Sequence, residues 1–309
     1  MPSGAPNAAP AVLDAIAPAP VFDTVHGIHA TAVTVSISTT LAGGEIRYTT
    51  NGTEPTVCSG QAYTAPLAIT SNTVVRAAVF KSGCIRSPVV TRTYLIGVPA
   101  GLRAIPSLSL AGDEQRIFFE PYGVMAIAGG YYTNSSWKAS DINDYNNPSG
   151  HGRPFERPVS FELLYPDGET GVAIECGLRV HGHQREQFIR TNDWTINQFC
   201  KFPLRTDFRQ AYGSDRLRFA LFPGCRMASF RTFILRAGSN DARNPFIKDE
   251  LSRRLFIDCG QVGSYGMLAH LYINGAWKGY YNICERVDES FMQSWYDSTN
   301  AWDVHNSET

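Results

Sequence analysis

The stretch Leu268-Ala269-His270-Leu271-Tyr272-Ile273-Asn274-Gly275-Ala276-Trp277-Lys278-Gly279-Tyr280-Tyr281-Asn282-Ile283 decides how the C-terminal part of this chain is read. Asn-Gly between two apolar runs is the strongest short hairpin signal, because both central residues of a type I′ turn need positive φ. It predicts two antiparallel strands. Just upstream, Asn244 can cap a helix, Pro245 suits its first position and Gly260 can end it. Ile247, Leu251 and Leu255 recur at four-residue spacing, with Phe246 and Ile257 flanking them, and predict one buried apolar face. At 100° per residue Glu250, Arg254 and Asp258 fall near that face, whereas Asp249 points away. Before the helix, residues 159–164, 173–181, 199–208 and 230–236 read as strands, the first two joined by Pro166-Asp167-Gly168. In 199–208 the side chains of Cys200, Phe202 and Leu204 share one face and Lys201 takes the other.

The N-terminal part has a different texture. Val33, Val35 and Ile37 alternate with Thr34, Ser36 and Ser38. Gly43-Gly44 and Asn51-Gly52 are turn signals, and residues 66–69, 73–80 and 89–94 follow as further strands. Short strands at this spacing argue an all-β sandwich. The organisation expected is therefore a disordered leader or linker over 1–19, an Ig-like β-sandwich over 20–96, a connector over 97–104 and an α+β domain over 105–309.

With 43% hydrophobic residues the 309-residue chain can build more than one core. A net charge of -1 gives no overall field that would favour nucleic acid or an anionic membrane. No stretch approaches the ~20 apolar residues of a spanning helix, so no membrane insertion is expected. Met1 to Pro20 lacks a basic segment followed by an apolar run and does not read as a signal peptide. None of the seven cysteines forms a Cys-x-x-Cys pair, so a structural zinc site is not expected. Cys58 and Cys84, the two in the sandwich, are a disulfide candidate or two free thiols; the other five read as core fillers.

Two resemblances add to this reading. The run Ile46-Arg47-Tyr48-Thr49-Thr50-Asn51-Gly52-Thr53-Glu54-Pro55-Thr56, with Tyr63, Pro66-Leu67, Val74-Val75-Arg76-Ala77 and Thr93-Tyr94, resembles the C-terminal domain of chitobiases and β-hexosaminidases. Asn51 stands where Asp is usual and suits the same positive-φ geometry. That domain is an Ig-like module, and its name implies no hexosaminidase activity. Tyr48 and Tyr63 could stack on a sugar or pack against the sandwich. The second part resembles CotH proteins. The motifs are Glu156-Arg157-Pro158-Val159, Gly177-Leu178-Arg179-Val180-His181-Gly182, Lys201 to Arg205 and Leu235-Arg236-Ala237-Gly238-Ser239-Asn240-Asp241. Leu271 to Gly275, Gly279-Tyr280-Tyr281-Asn282, Glu285-Arg286 and Asp303-Val304 continue the match. CotH proteins are atypical kinases, so the resemblance implies a kinase-type N-terminal lobe that uses ATP and Mg²⁺ to phosphorylate surface or coat proteins. An extracellular or cell-surface location is implied in the same way. The family's His-Gly-Gly-x-Ser-Arg is replaced here by His181-Gly182-His183-Gln184-Arg185-Glu186, which weakens the case for this loop as a phosphate cradle.

A kinase needs a cation on the nucleotide phosphates, held by a helix carboxylate. The nucleotide-binding candidates are Lys201, Glu250, His181, Gly182 and Arg236. Lys201 would reach the phosphates and Glu250 would orient it. The alternatives are a solvated Lys201 and a Glu250 paired along its helix with Arg254. Eight basic residues from Arg179 to Arg218 face four acidic ones, a surplus that suits a polyphosphate or a solvated sheet face. His181 and His183 share a face, but no third metal ligand is placed by sequence, and Asp241 reads as a turn residue. Only 24 residues follow Glu285, too few for a lobe carrying metal-binding aspartates, so no catalytic residue is assigned. The chain reads as truncated and is expected not to autophosphorylate. Two other functions stay open. One is a non-catalytic surface adhesion or scaffold protein whose sandwich binds cell-wall polysaccharide. The other, a carbohydrate-active enzyme, needs two facing carboxylates that the sequence does not identify.

Overall fold

The computed structural model describes residues 15–133, 136–166, 168, 171–182, 201–238 and 247–304. The alternation in the first part produces a β-sandwich. Its strands are β1 (Val21–Phe22), β2 (Gly27–His29), β3 (Val33–Val35), β4 (Ile37–Ser38), β5 (Glu45–Thr49), β6 (Gln61–Ala62), β7 (Leu67–Ile69), β8 (Thr73–Phe80) and β9 (Val90–Ile96). One layer is the sheet β2-β9-β8-β5-β6, and the ladders β1–β4 and β3–β7 face it. Val35, Ile37 and Ile69 from the ladders meet Ile46, Val75, Ala77, Val79 and Tyr94 from the sheet in one buried core. Every second residue points inward, so the sequence pattern and this core are the same fact.

Two local expectations change. Positive φ falls on Gly52 (+80°) and not on Asn51. Asn51 Oδ1 instead accepts from the Thr53 amide at 3.1 Å and from its hydroxyl at 2.6 Å, a side-chain-closed turn that leaves the left-handed position to glycine. Cys58 and Cys84 are both free thiols, so the disulfide candidate is not made. Cys58 lies in a turn closed by Thr56 and Ser59, and Cys84 pairs with Ala15 on a separate parallel ladder.

The second part closes a barrel. Its strands are β10 (Ser107–Ala111), β11 (Arg157–Leu164), β12 (Val172–Val180), β13 (Leu204–Asp207), β14 (Thr232–Arg236), β15 (Gly266–Ile273) and β16 (Ala276–Glu285). The order is β10-β11-β12-β13-β14-β16-β15, and β15 runs parallel to β10 to close it. Period-2 alternation fills the inside: Leu108 and Leu110, Val159, Phe161 and Leu163, Phe233 and Leu235, and Ala269, Leu271 and Ile273 are all buried. Phe161, Phe208, Phe222, Phe230 and Phe233 form a chain of ring contacts with centroids 5.3–6.4 Å apart. Truncating wholly buried Phe233 to Ala would cost about 3–5 kcal/mol. Asn274 (φ 48°) and Gly275 (φ 80°) form the predicted β15–β16 turn.

Three elements differ from expectation. Of the strand expected over 199–208, residues 199–200 lie outside the described residues, and from Lys201 onward the strand is β13, starting after Pro203, which has no amide to enter the ladder. The strand expected over 230–236 is interrupted at Arg231, leaving Ser229–Phe230 paired elsewhere. The helix is α1 (Lys248–Asp258), ended by Gly260 at φ +81°; Asn244 and Pro245 lie outside the described residues. Its expected apolar face is not buried: Ile247, Leu251 and Leu255 are 41–55% exposed, while Glu250 is buried. The helix lies with its acidic side on the polar outer wall of the barrel, so charge pairing and not apolar burial sets its orientation. A second helix, α2 (Glu289–Tyr296), is capped by the Asp288 carboxylate, which accepts from the Phe291 amide.

The sandwich and the barrel are joined by buried polar bonds as well as apolar contact. Leu95 and Val98 pack on Leu164 and Tyr272. Wholly buried Glu162 of β11 accepts from the Thr93 hydroxyl at 2.5 Å, and His26 Nδ1 lies 2.6 Å from its other oxygen. At Gly52 an added Cβ would come within 2.2 Å of the Gly112 carbonyl, so the sandwich approaches the barrel there backbone to backbone.

Candidate functional site

Of the candidates, Arg236 is the last residue of β14, Lys201 lies just before β13, His181 and Gly182 follow β12, and Glu250 is on α1. Arg236 ends β14 and stands opposite Asn282 of β16. Its Nε lies 2.8 Å from Asp249 Oδ2 on the first turn of α1. The same oxygen accepts from Arg253 at 2.6 Å. Sequence periodicity had Asp249 pointing away. Because α1 is turned with its acidic side inward, it is Asp249 that meets the strand cation.

Glu250 is not the partner of Lys201. Its Oε1 accepts from Arg254 Nε at 2.6 Å, and its Oε2 accepts from Arg253 at 2.5 Å and from the Asn282 amide at 2.8 Å. Burial alone would raise its pKa, but these donors outweigh burial and hold it below the usual glutamate range. The paired-along-the-helix alternative therefore describes Glu250, with Asn282 added as a barrel anchor.

Lys201 reaches the same strand at Tyr280. Its Nζ donates to the Tyr280 carbonyl at 2.6 Å and lies 4.3 Å from the centre of the Tyr280 ring and 5.1 Å from that of Tyr281. Gly279 makes room: a Cβ there would stand 2.8 Å from Lys201 Cε. Burial lowers the Lys201 pKa, and among the described residues no carboxylate forms an ion pair with it. The lysine is thus not a solvated surface residue. Its charge faces aromatic rings and one carbonyl, and it reaches His270, whose pKa falls through burial and then through Lys201. Arg236 and Lys201 converge on Tyr280–Asn282, one strand of the predicted hairpin.

The basic surplus on β12 and β13 is largely internal. Asp207, 3% exposed, binds Arg205 at 2.5 Å, with Arg179 and Arg209 each 3.7 Å away. Arg209 also binds buried Glu156 at 3.0 Å. Burial, together with the charges of Arg286 and Arg179, lowers the Arg205 pKa, although Asp207 opposes this. The sequence signal for Asp207 was weak, since a single acid amid arginines reads equally as surface.

His181 donates its amide to the Pro203 carbonyl at 2.8 Å, and Gly182 has φ +103°. This bond ties the end of β12 to the chain entering β13. Residues 183–200, His183 among them, and Asp241 lie outside the described residues. Among the described residues no three His, Cys, Asp or Glu side chains converge as a metal site. In the sandwich, Tyr48 and Tyr63 meet edge to face at 6.4 Å, pack against the core, and Tyr48 bonds Gln61. They are packing residues here. Cys176 and Cys284 are buried as expected, whereas Cys259 is exposed beyond the helix end.

Comparison with known families agrees with this division. Residues 178–303 match the model of the CotH kinase protein family. Residues 25–91 match the chitobiase/beta-hexosaminidase C-terminal domain. The chain carries a CotH-type domain behind a chitobiase-type Ig-like domain. No curated protein matches it. The CotH match begins at Leu178 in β12 and spans Lys201, Arg236, α1 and the β15–β16 hairpin, so every element of the charged face described above lies inside it. No described helix is long and apolar enough to cross a membrane.

Proposed function

We propose that the CotH-type domain binds a nucleotide on the face between α1 and the β14–β16 strands and serves a kinase that phosphorylates surface or coat proteins outside the cell. The observation that carries this reading is the Arg236–Asp249 pair at 2.8 Å. Kinases hold the phosphates with a strand cation fixed by a helix carboxylate, and the pairing of Arg236 on β14 with Asp249 on the following helix supports this reading. Arginine keeps its charge at any working pH and offers a planar fork to phosphate oxygens. Lys201, half-buried and with no carboxylate ion pair among the described residues, is the second cation suited to a phosphate. ATP, when bound, supplies the transferable phosphoryl group. Arg236 and Lys201 would hold its phosphates, Asp249 fixes Arg236, and Glu250 with Arg253 and Asn282 fixes the helix. Mg²⁺ is implied by the family alone, and no described residue is assigned to it. The sandwich serves as a spacer held to the barrel through Glu162 and the Leu95–Tyr272 contacts.

The test is calorimetric titration of ATP with and without Mg²⁺. Arg236→Ala and Lys201→Ala should each weaken ATP binding at least about tenfold, which corresponds to ~1.4 kcal/mol. Unchanged affinity in both variants overturns the proposal.

A further inference from the structure

Away from the charged face, between the segment before β14 and the C-terminal end of α2, lies a cavity of about 600 Å³. None of the nucleotide-binding candidates lines it. Two arginines do, Arg216 and Arg226. Neither forms an ion pair with a described carboxylate; the one acid on the cavity wall is Asp297. Arg226 donates to the Trp295 carbonyl and lies over that ring, 5.8 Å from its centre. Among the described residues the Arg216 guanidinium makes one long bond, 3.4 Å, to the Ser229 carbonyl. Burial and the charge of Arg231 lower the Arg216 pKa, Arg218 adds to this, and Asp215 and Asp288 offset part of it. A half-buried guanidinium with no ion pair to a described carboxylate gains from an anion that gives it a direct counter-charge. The remaining wall has Met227, Ala228, Gln293 and four hydroxyl residues, Ser229, Ser294, Ser298 and Thr299. Ser294 donates to the Ser290 carbonyl and can still accept, and Ser298 accepts from the Asn300 amide and can still donate, so the wall suits a hydroxylated ligand body better than an apolar one. The volume is that of a small-molecule site.

We propose that this cavity binds a small polyhydroxylated anion, a sugar carrying a phosphate or a carboxylate, with Arg216 and Arg226 on the oxyanion and the serine hydroxyls on the sugar. The site is independent of the nucleotide face. The chain would thereby bind an acidic sugar through its CotH-type domain and not through its sandwich.

The experiment is calorimetry of the full chain with glucose 6-phosphate, glucuronate and glucose. Saturable binding of at least one of the two anions is expected, the stronger one identifying the source of the oxyanion, with glucose at least tenfold weaker. Arg216→Gln should weaken the anion at least tenfold. Thr299→Trp, at an exposed position on the cavity wall, should block binding without a shift in melting temperature. Arg236→Ala should leave it unchanged, which separates this site from nucleotide binding. Failure of both anions to bind overturns the proposal. So does glucose binding as tightly as the anions, or anion binding indifferent to both Arg216→Gln and Thr299→Trp.

Discussion

Arg236 Nε lies 2.8 Å from Asp249 Oδ2, joining the last residue of a barrel strand to the first turn of the helix above it. Both side chains keep part of their surface in water, 42% and 29%, so the bond contributes only about 0–1 kcal/mol to stability. Its value lies in direction: it fixes where the guanidinium points. Asp249→Asn should therefore lower the melting temperature by no more than a few degrees. The same change should weaken ATP binding severalfold more than it weakens folding. Equal losses in the two measurements would show Asp249 to be structural only.

Glu250 makes the opposite prediction. It is buried and accepts from Arg253, Arg254 and Asn282. Glu250→Ala leaves the partly buried Arg253 without this partner and should destabilise the chain by about 1–3 kcal/mol in urea unfolding. Its folded pKa is depressed, so the native state binds its proton more weakly than the unfolded chain. The stability it contributes is present above the unfolded value near 4.5 and is lost as pH falls through the folded value. The Glu250→Ala deficit should shrink on acidification below pH ~4.5.

Glu285 runs the other way. Burial pushes its pKa up to about 7, with the Tyr265 amide opposing. A raised carboxyl pKa means that the folded state holds the proton more tightly. That contribution is complete below the unfolded value and is lost as pH rises through about 7. Glu285→Gln cannot ionise, so relative to the native chain it should gain stability between pH 5 and pH 8, by on the order of 3 kcal/mol at most. A pH-independent difference in urea midpoints would refute this.

The bond between the two parts can be tested by calorimetric melting. Glu162 is wholly buried and accepts from Thr93 while contacting His26. Glu162→Ala leaves those groups buried without it, at a cost of about 3 kcal/mol. The native chain should melt in one transition, and the variant should show separate sandwich and barrel transitions. Gly52→Ala should act in the same direction, since its Cβ would clash with the Gly112 carbonyl.

Cys58 is exposed and has no disulfide. It should react with a thiol reagent in the native chain without reductant, and Cys58→Ser should leave the melting temperature unchanged. Mass analysis that finds Cys58 joined to Cys84 would contradict the structure.

Much of this protein is written in short-range pattern. Alternation at Val33, Val35 and Ile37 and at Val159, Phe161 and Leu163 depends only on the two-residue period of a strand, and the Asn274-Gly275 turn depends only on local φ. The sequence therefore determined the strands, the hairpin, the helix stop at Gly260 and the likeness to the two families. Tertiary structure alone decided the closure of the barrel, which needs β10 to pair with β15 across about 160 residues of chain. It also decided which side of α1 faces inward. Helical periodicity ranks faces by hydrophobicity, but the wall beneath α1 presents Arg236 and Asn282, and a polar wall selects the acidic side. That choice gave Arg236 to Asp249, left Lys201 on the Tyr280 carbonyl and locked Glu250 to its own helix.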